Sequence, residues 1–258
     1  METLQKYLRA PDANVLFLTG AGISLASGIP TFRGSDPDAI WSKDVVEKAT
    51  RSFFLRHPEQ SWKWYLDRFN NTRHAKPNPA HIALVDIEAK VPTLRVITQN
   101  VDGLHYQAGT KNLVEVHGSA RKVRCTNQNC VNGPPKGLLD WTDELLGEFS
   151  KEPTRKNVPR CPHCGKFLRP HILWFDESYL SHTDYNYPLT QDWYEEATVL
   201  IAVGTSFSVN ITNMVTWANS DRGIPVYVID PHLTDSPTGT ILIREAAEVF
   251  LPQLVATL

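Results

Sequence analysis

An α/β fold built on parallel strands follows from three features of the sequence. Val15-Leu16-Phe17-Leu18 is a short apolar run that passes at once into Thr19-Gly20-Ala21-Gly22-Ile23-Ser24. Leu94-Arg95-Val96-Ile97 is a second run, and it ends in Thr98-Gln99-Asn100-Val101-Asp102-Gly103-Leu104-His105. Val199-Leu200-Ile201-Ala202-Val203 and Pro225-Val226-Tyr227-Val228-Ile229 are apolar throughout and end in Gly204-Thr205-Ser206 and in Asp230. Apolar strands alternating with helical stretches, each ending in glycine or polar residues, fit a sheet covered on both faces with its ligands at the strand ends.

The chain's 258 residues suffice for one large core or for two unequal domains. A formal net charge of −2 supplies no basic field, which argues against direct contact with nucleic acid. No apolar run approaches the length of a membrane span. Residues 1–9 show neither an apolar signal core nor an Arg-rich transit pattern. The expectation is an intracellular protein, cytoplasmic first, with nucleus and mitochondrion left open, acting as a monomer.

Residues 2–10 read as a short amphipathic helix stopped by Pro11. The Gly20-Ala21-Gly22 turn after the first strand, followed by a helix, suits a phosphate cradle. Its glycines let the backbone approach a pyrophosphate, and a helix N-terminus supplies free N–H donors. The generic dinucleotide fingerprint has a third glycine where this chain has Leu25, so a tight turn without a ligand is the competing reading. Next, Ser27 to Gly34 combine glycine, proline, Phe32 and Arg33. A loop closing over a nucleotide would use Phe32 to shield a reactive centre and Arg33 to hold charge.

Residues 38–76 have helical spacing, with Trp62, Tyr65 and Phe69 on one face and Arg68 beside them. Taken alone, this face is either a core stripe with a snorkelling arginine or a receptor for a carboxylate. Pro77-Asn78-Pro79-Ala80-His81 turns into a helix reaching about Lys90. A further apolar run, Leu113 to Val116, delivers His117, an imidazole that titrates near neutrality and is the candidate general base.

Between Arg121 and Arg169 the chain is rich in Cys, Pro, Gly and Lys and poor in apolar periodicity. Such a segment cannot build a core alone. Cys125, Cys130, Cys161 and Cys164 form two close pairs 30 residues apart, the spacing of a structural tetrathiolate zinc site. His171 to Phe175 read as an extended apolar segment leading into Asp176-Glu177. Asp230 follows its strand where an acidic group can bond a ribose hydroxyl. A short helix carrying Val249-Phe250-Leu251-Pro252 closes the chain.

With these residues in place, the sequence resembles the sirtuins, the NAD-dependent protein-lysine deacylases, over nearly its whole length. The motifs that carry the resemblance are Gly20-Ala-Gly-Ile-Ser24, Ser27-Gly-Ile-Pro-Thr-Phe-Arg33, Pro77-Asn-Pro-Ala-His81, Thr98-Gln-Asn-Val-Asp-Gly-Leu-His105, His117-Gly118 and Gly204-Thr-Ser206. The resemblance implies a Rossmann-like domain from residues 1–34, 77–120 and 170–258. It implies a smaller domain from a helical insertion, 35–76, and a zinc module, 121–169. NAD and an acyl-lysine protein or peptide would meet in the cleft between them.

The resemblance also implies roles. Gly20, Ala21, Gly22, Arg33, Gln99, Val101, Gly204, Thr205, Ser206 and Asp230 would hold NAD. Asn100 and Asp102 would orient its nicotinamide end, and Phe32 would guard the ribose. The acyl oxygen of the modified lysine would displace nicotinamide, and His117 would then deprotonate a ribose hydroxyl, giving O-acyl-ADP-ribose. Zinc would take no part, because four thiolates leave no open coordination site. Phe175 and Glu177 would lie on the loop that clamps the peptide.

A finer resemblance is to class III sirtuins, the desuccinylase type. It rests on Thr31, on Ala49-Thr50, on Pro58 and on Trp62-Lys-Trp-Tyr-Leu-Asp-Arg68. It implies that Tyr65 and Arg68 bind the carboxylate of a succinyl, malonyl or glutaryl group, with Ala49 leaving room for its tail. Asp176 stands where the family usually has glycine, Phe207 to Ile211 replace a proline-containing turn, and Asp230 stands where asparagine is usual. An ordinary deacetylase is the nearest competing reading. NAD glycohydrolase or ADP-ribosyl transfer on the same fold is the next, and it predicts nicotinamide release without acyl-lysine.

Overall fold

The computed structural model describes residues 2–31 and 43–258. Its strands, in chain order, are β1 (Asn14–Thr19), β2 (Thr93–Thr98), β3 (Leu113–Glu115), β4 (Gly118–Cys125), β5 (Leu139–Asp140), β6 (Leu168–Ile172), β7 (Val199–Val203), β8 (Val226–Ile229) and β9 (Ile241–Ile243). Six of them form one sheet, ordered β3-β2-β1-β7-β8-β9, with every neighbouring pair parallel. Counted in their own succession these strands run 3-2-1-4-5-6, the doubly wound order of a Rossmann-like sheet. The order reverses between β1 and β7. Ligands of such sheets bind outside the carboxyl ends of the strands at that point.

The helices are α1 (Glu2–Leu8), α2 (Lys43–Lys48), α3 (Arg51–Arg56), α4 (Pro58–Thr72), α5 (Pro79–Glu88), α6 (Leu104–Ala108), α7 (Asp143–Lys151), α8 (Tyr187–Glu196), α9 (Asn213–Arg222) and α10 (Ala247–Ala256). Alternation along β1 divides the sheet's burial between two faces. Val15 and Phe17 pack with Leu4 and Leu8 of α1, Leu84 and Ile87 of α5, and Leu251 and Leu254 of α10. Leu16 and Leu18 face the other way, toward Met214 and Ala218 of α9 and Trp193 of α8.

A second sheet, β5-β4-β6, is antiparallel. Its core joins Trp62 and Tyr65 of α4, Phe54 of α3, Leu146 and Phe149 of α7, and Trp174 to the cysteine-bearing segments. Trp62 Nε1 donates to the Leu168 carbonyl at 2.7 Å, which locks α4 onto β6.

Several expectations are corrected. After Gly20 the chain forms a seven-residue 3-10 helix, Ala21–Ser27, instead of an α-helix. Ile23 N–H bonds back to the Gly20 carbonyl at 3.2 Å, and Asn78 Nδ2 takes the Ile23 carbonyl at 2.8 Å, so the tighter turn is pinned early. Within 38–76, Thr50 caps α3 by accepting from Phe53 N–H, and Pro58 opens α4, so the described part of the helical stretch is broken. The strand expected at 171–175 lies earlier, at 168–172. Leu173 N–H still bonds to the His117 carbonyl at 2.8 Å, one step beyond the Gly118–Ile172 pair, and regular pairing stops there.

Candidate active site

The ends of β1 and β7 meet at the switch point. Gly20 N–H donates to the Val203 carbonyl and Gly22 N–H to the Gly204 carbonyl, each at 2.9 Å. A Cβ on Gly20 would lie 2.6 Å from the Gly204 oxygen, and one on Gly22 would lie 2.6 Å from the Gly204 Cα. Gly204 itself has φ +57°, a conformation that L side chains rarely adopt. Gly20, Ala21, Gly22 and Gly204 therefore form a close backbone junction at the carboxyl edge of the sheet, and it fits a dinucleotide phosphate cradle. Thr205 is buried, and its hydroxyl accepts from Gln99 Nε2 at 3.1 Å. Ser206 is exposed on the turn that follows, bonded to Ser208. Asp230 ends β8, and its Oδ1 accepts from the backbone of His232 and Leu233 at 2.8 and 3.0 Å. Phe32 and Arg33 lie outside the described residues.

Beside the junction the end of β2 builds a polar network. Asn100 Nδ2 donates to the Gly20 carbonyl at 3.0 Å and to Ser24 Oγ at 3.1 Å. Ser24 Oγ in turn donates to Asp102 Oδ2 at 2.8 Å, while Leu104 N–H bonds Oδ1 at 2.9 Å. Burial raises the Asp102 carboxyl above its ordinary range, against the pull of these two donors. Behind them, Thr19 Oγ1 donates to Thr98 Oγ1 at 2.8 Å and bonds His105 Nε2 at 2.9 Å. His105 and His81 stand edge to face at 4.8 Å, and burial holds them down at about 3 and about 4. Val101 packs on the aromatic core, and its carbonyl accepts from Ala120.

His117 leaves β3 facing this network. Its Nδ1 lies 3.0 Å from the Gln99 carbonyl, which can only accept, so Nδ1 carries the proton and Nε2 the lone pair. Burial lowers its pKa to about 4, so the ring is a neutral base at pH 7. Nε2 meets the Tyr179 hydroxyl at 3.1 Å. Gly118 after it has φ +86°, and a Cβ there would lie 2.1 Å from the His171 oxygen, so only glycine lets the two chain segments pass.

The residues expected at the acyl group divide. Ala49 is buried just before α3, and its carbonyl accepts from Phe175 N–H at 3.1 Å. Phe175 itself is exposed. Tyr65 is only 4% exposed, and its hydroxyl accepts from Trp174 Nε1 at 2.6 Å. Burial pushes this phenol far above its usual range. Arg68 lies near enough to Tyr65 for their charges to interact, with its guanidinium 3.8 Å over the Trp64 ring. Its Nε is buried and unpartnered. The Glu177 side chain is turned inward. Its oxygens accept from Arg169 at 2.6 and 3.1 Å, from Arg124 at 3.3 Å and from the Trp174 N–H at 3.2 Å. Two guanidiniums this deeply buried need a carboxylate, and among the described residues Glu177 is the one that pairs with both.

Cys125, Cys130, Cys161 and Cys164 bring their sulfurs within 4.8 Å of one another, and all are free thiols. Tetrahedral thiolates around zinc stand about 3.8 Å apart for a Zn–S length of about 2.3 Å. The cluster fits such an ion with no position left open.

Sequence reasoning missed Ser24 and Tyr179. Ser24 stands inside the Gly20–Ser24 motif, and its spacing from Asn100 gives no sign that it links two strand ends. Nothing in the sequence marks Tyr179. Among the described residues no helix is long and apolar enough to cross a membrane.

Comparison with known proteins agrees with this geometry. A model described as the Sir2 family matches residues 20–211. An NAD-dependent protein deacylase of Pyrococcus abyssi is 38% identical over 251 residues, covering 95% of this chain and 93% of its own. An NAD-dependent protein deacetylase of Sulfurisphaera tokodaii is 36% identical over 238 residues, covering 92% and 88%. A solved Sir2 homologue in complex with NAD superposes with a TM-score of 0.77 at 32% identity, covering 100% of this chain and 93% of that one. A Sir2 structure with a p53 peptide and NAD+ superposes with a TM-score of 0.81 at 25% identity, covering 100% and 98%.

Proposed function

The chain belongs to the Sir2 family, and from that premise we propose that it is an NAD-dependent protein-lysine deacylase that favours acidic acyl groups. Relatives in this family carry both deacylase and deacetylase names, so the preference has to come from this chain's own residues. The observation that carries it is Arg68. This partly buried guanidinium has an unpartnered Nε, and among the described residues no carboxylate lies within ion-pair distance of it. A charged group left that way favours a ligand that brings the missing charge, and a planar guanidinium suits a carboxylate. Tyr65 supports the reading. Its oxygen accepts from Trp174, which leaves the phenol proton to donate. Ala49, small and close to Phe175, leaves space for the tail.

In this reading the helical insertion and the zinc module form one wall of the cleft and the parallel sheet the other. Bound NAD supplies an activated ribose carbon from which the acyl oxygen displaces nicotinamide. Gly20, Gly22 and Gly204 seat the phosphates, and Asn100 with Asp102 orient the nicotinamide end. His117, fixed as the Nδ1–H tautomer by Gln99, receives a ribose proton at Nε2.

Arg68→Met tests the preference against acetyl-lysine and succinyl-lysine peptides of one sequence. Loss of a charge-assisted contact worth about 1.5–3 kcal/mol lowers succinyl kcat/KM by roughly 10- to 100-fold, with acetyl turnover retained. Equal retention of both activities would sink the acidic-acyl reading. Nicotinamide release that ignores the peptide would instead favour NAD cleavage.

A further inference from the structure

The general base is not alone. We propose that Tyr179 is a catalytic residue that relays the proton, its phenol oxygen receiving the proton of the attacking ribose hydroxyl while its own proton passes to His117 Nε2. The proposal rests on the deacylase reading and adds a residue to it.

Gln99 holds Nδ1, so Nε2 is the basic nitrogen of His117. The Tyr179 hydroxyl stands 3.1 Å from that nitrogen and donates to its lone pair. A proton bound for Nε2 must therefore displace the phenol or pass through it. Displacement would leave a half-buried O–H donor without its acceptor, whereas passage keeps every group bonded.

The phenol is built to stay where it is. Its ring lies 25° from the His117 plane at 5.8 Å, and it stacks on Tyr187 at 5.0 Å and 17°. It packs with the apolar cluster on one face of the parallel sheet. Ser178 Oγ accepts from Leu180 N–H at 3.2 Å and fixes the short turn, Tyr179–Ser181, that carries it. Burial and the neighbouring Tyr187 push the phenol up to about 12, so it remains a donor at neutral pH.

The transfer balances. The ribose O–H bond breaks and a new O–H bond forms on Tyr179. The original Tyr179 O–H bond breaks and an N–H bond forms at Nε2. The electron pair left on the ribose oxygen forms the bond to the acyl carbon, and the imidazolium keeps the proton.

Tyr179→Phe tests the relay, since phenylalanine preserves the stack and removes only the hydroxyl. Two rates are compared with a succinyl-lysine peptide. One is acyl-lysine-dependent exchange of labelled nicotinamide into NAD, which reports the first step and makes no demand on His117. The other is O-acyl-ADP-ribose formation, which needs the base. The relay predicts that product formation falls about a hundredfold relative to exchange. A ratio that stays level or rises overturns it, because the phenol is then merely displaced. A structural defect would depress both rates together and leave the ratio level. If the variant does not fold, a proton inventory on the unaltered protein decides. A curved inventory for product formation supports two protons in flight, and a linear one overturns the relay. Absence of acyl-lysine-dependent exchange in the unaltered protein would remove the deacylase reading itself, and the relay with it.

Discussion

Along β7, Val199 to Val203 are apolar and buried without exception, and helices cover both faces of their sheet. On the three-stranded sheet, Arg124 and Arg169 are 1% and 3% exposed, as deep as any valine. One region is stabilised by removing hydrocarbon from water, spread over dozens of side chains. The other depends on a few polar and sulfur partners that must all be present. Charges and thiols at such depth are stable only as complete sets. The difference teaches where the molecule is brittle, namely on the side that carries the cysteines and the loop from Trp174 to Glu177.

The strongest way to break this comparison is to remove the metal that the four cysteines fit. Structural zinc is worth about 10–16 kcal/mol in small domains, as much as the whole stability of a typical protein. Chelation, or Cys130→Ser, is therefore expected to open residues 121–169 to protease while the parallel sheet stays protected. Cleavage sites mapped by mass spectrometry check this. A segment that resists protease without metal would show that its apolar core suffices.

Next in size is Glu177→Gln, which removes the carboxylate that pairs with two buried guanidiniums. The expected loss is about 3–5 kcal/mol, read as a lower urea midpoint. Ile201→Val in the parallel sheet, by contrast, costs about 0.5–1.5 kcal/mol. Similar losses at both positions would erase the contrast.

A pH series probes the parallel sheet from the other side, because its own polar weak point is histidine. His81, His105 and His117 are held at about 4, about 3 and about 4, below their ordinary 6.5. The unfolded chain thus takes up protons first as pH falls. Their contribution is complete above pH 6.5 and is lost progressively toward pH 4, at about 1.4 kcal/mol per pH unit for each ring. Urea midpoints measured between pH 8 and 5 should be level at the upper end and fall below about 6.5. A midpoint unchanged at pH 5 would mean that these rings are protonated in the fold.

Most of the parallel sheet was legible because its strands are uninterrupted apolar runs, and β1, β2, β7 and β8 stand within a residue or so of where those runs lie. The 3-10 turn after Gly20 was not, since its tightness is set by Asn78, far along the chain. Strand β4 escaped notice because Gly-Ser-Ala-Arg-Lys-Val-Arg-Cys has no apolar face to read. β9 is three residues long and only partly buried. In the site, motif order pointed to Asn100, Asp102 and His117, although Gly20 and Ser24, the partners of Asn100 and Asp102, lie 76 to 80 residues away from them. The two ion pairs of Glu177 were not legible in the sequence. Its position after Phe175 suggests the substrate, while its ion pairs are with Arg169, 8 residues before it, and with Arg124, 53 residues before it. Tyr179 was invisible for the same reason, 62 residues from the imidazole it touches.

The Asp176 carboxylate accepts from Arg51 N–H at 2.6 Å and Ser52 N–H at 3.0 Å. With the Phe175 bond to the Ala49 carbonyl, three hydrogen bonds join segments some 125 residues apart. In mechanical terms the loop and the start of α3 are a single riveted plate. A force that lifts Phe175 also lifts Ala49, so the two segments travel together or the rivets shear.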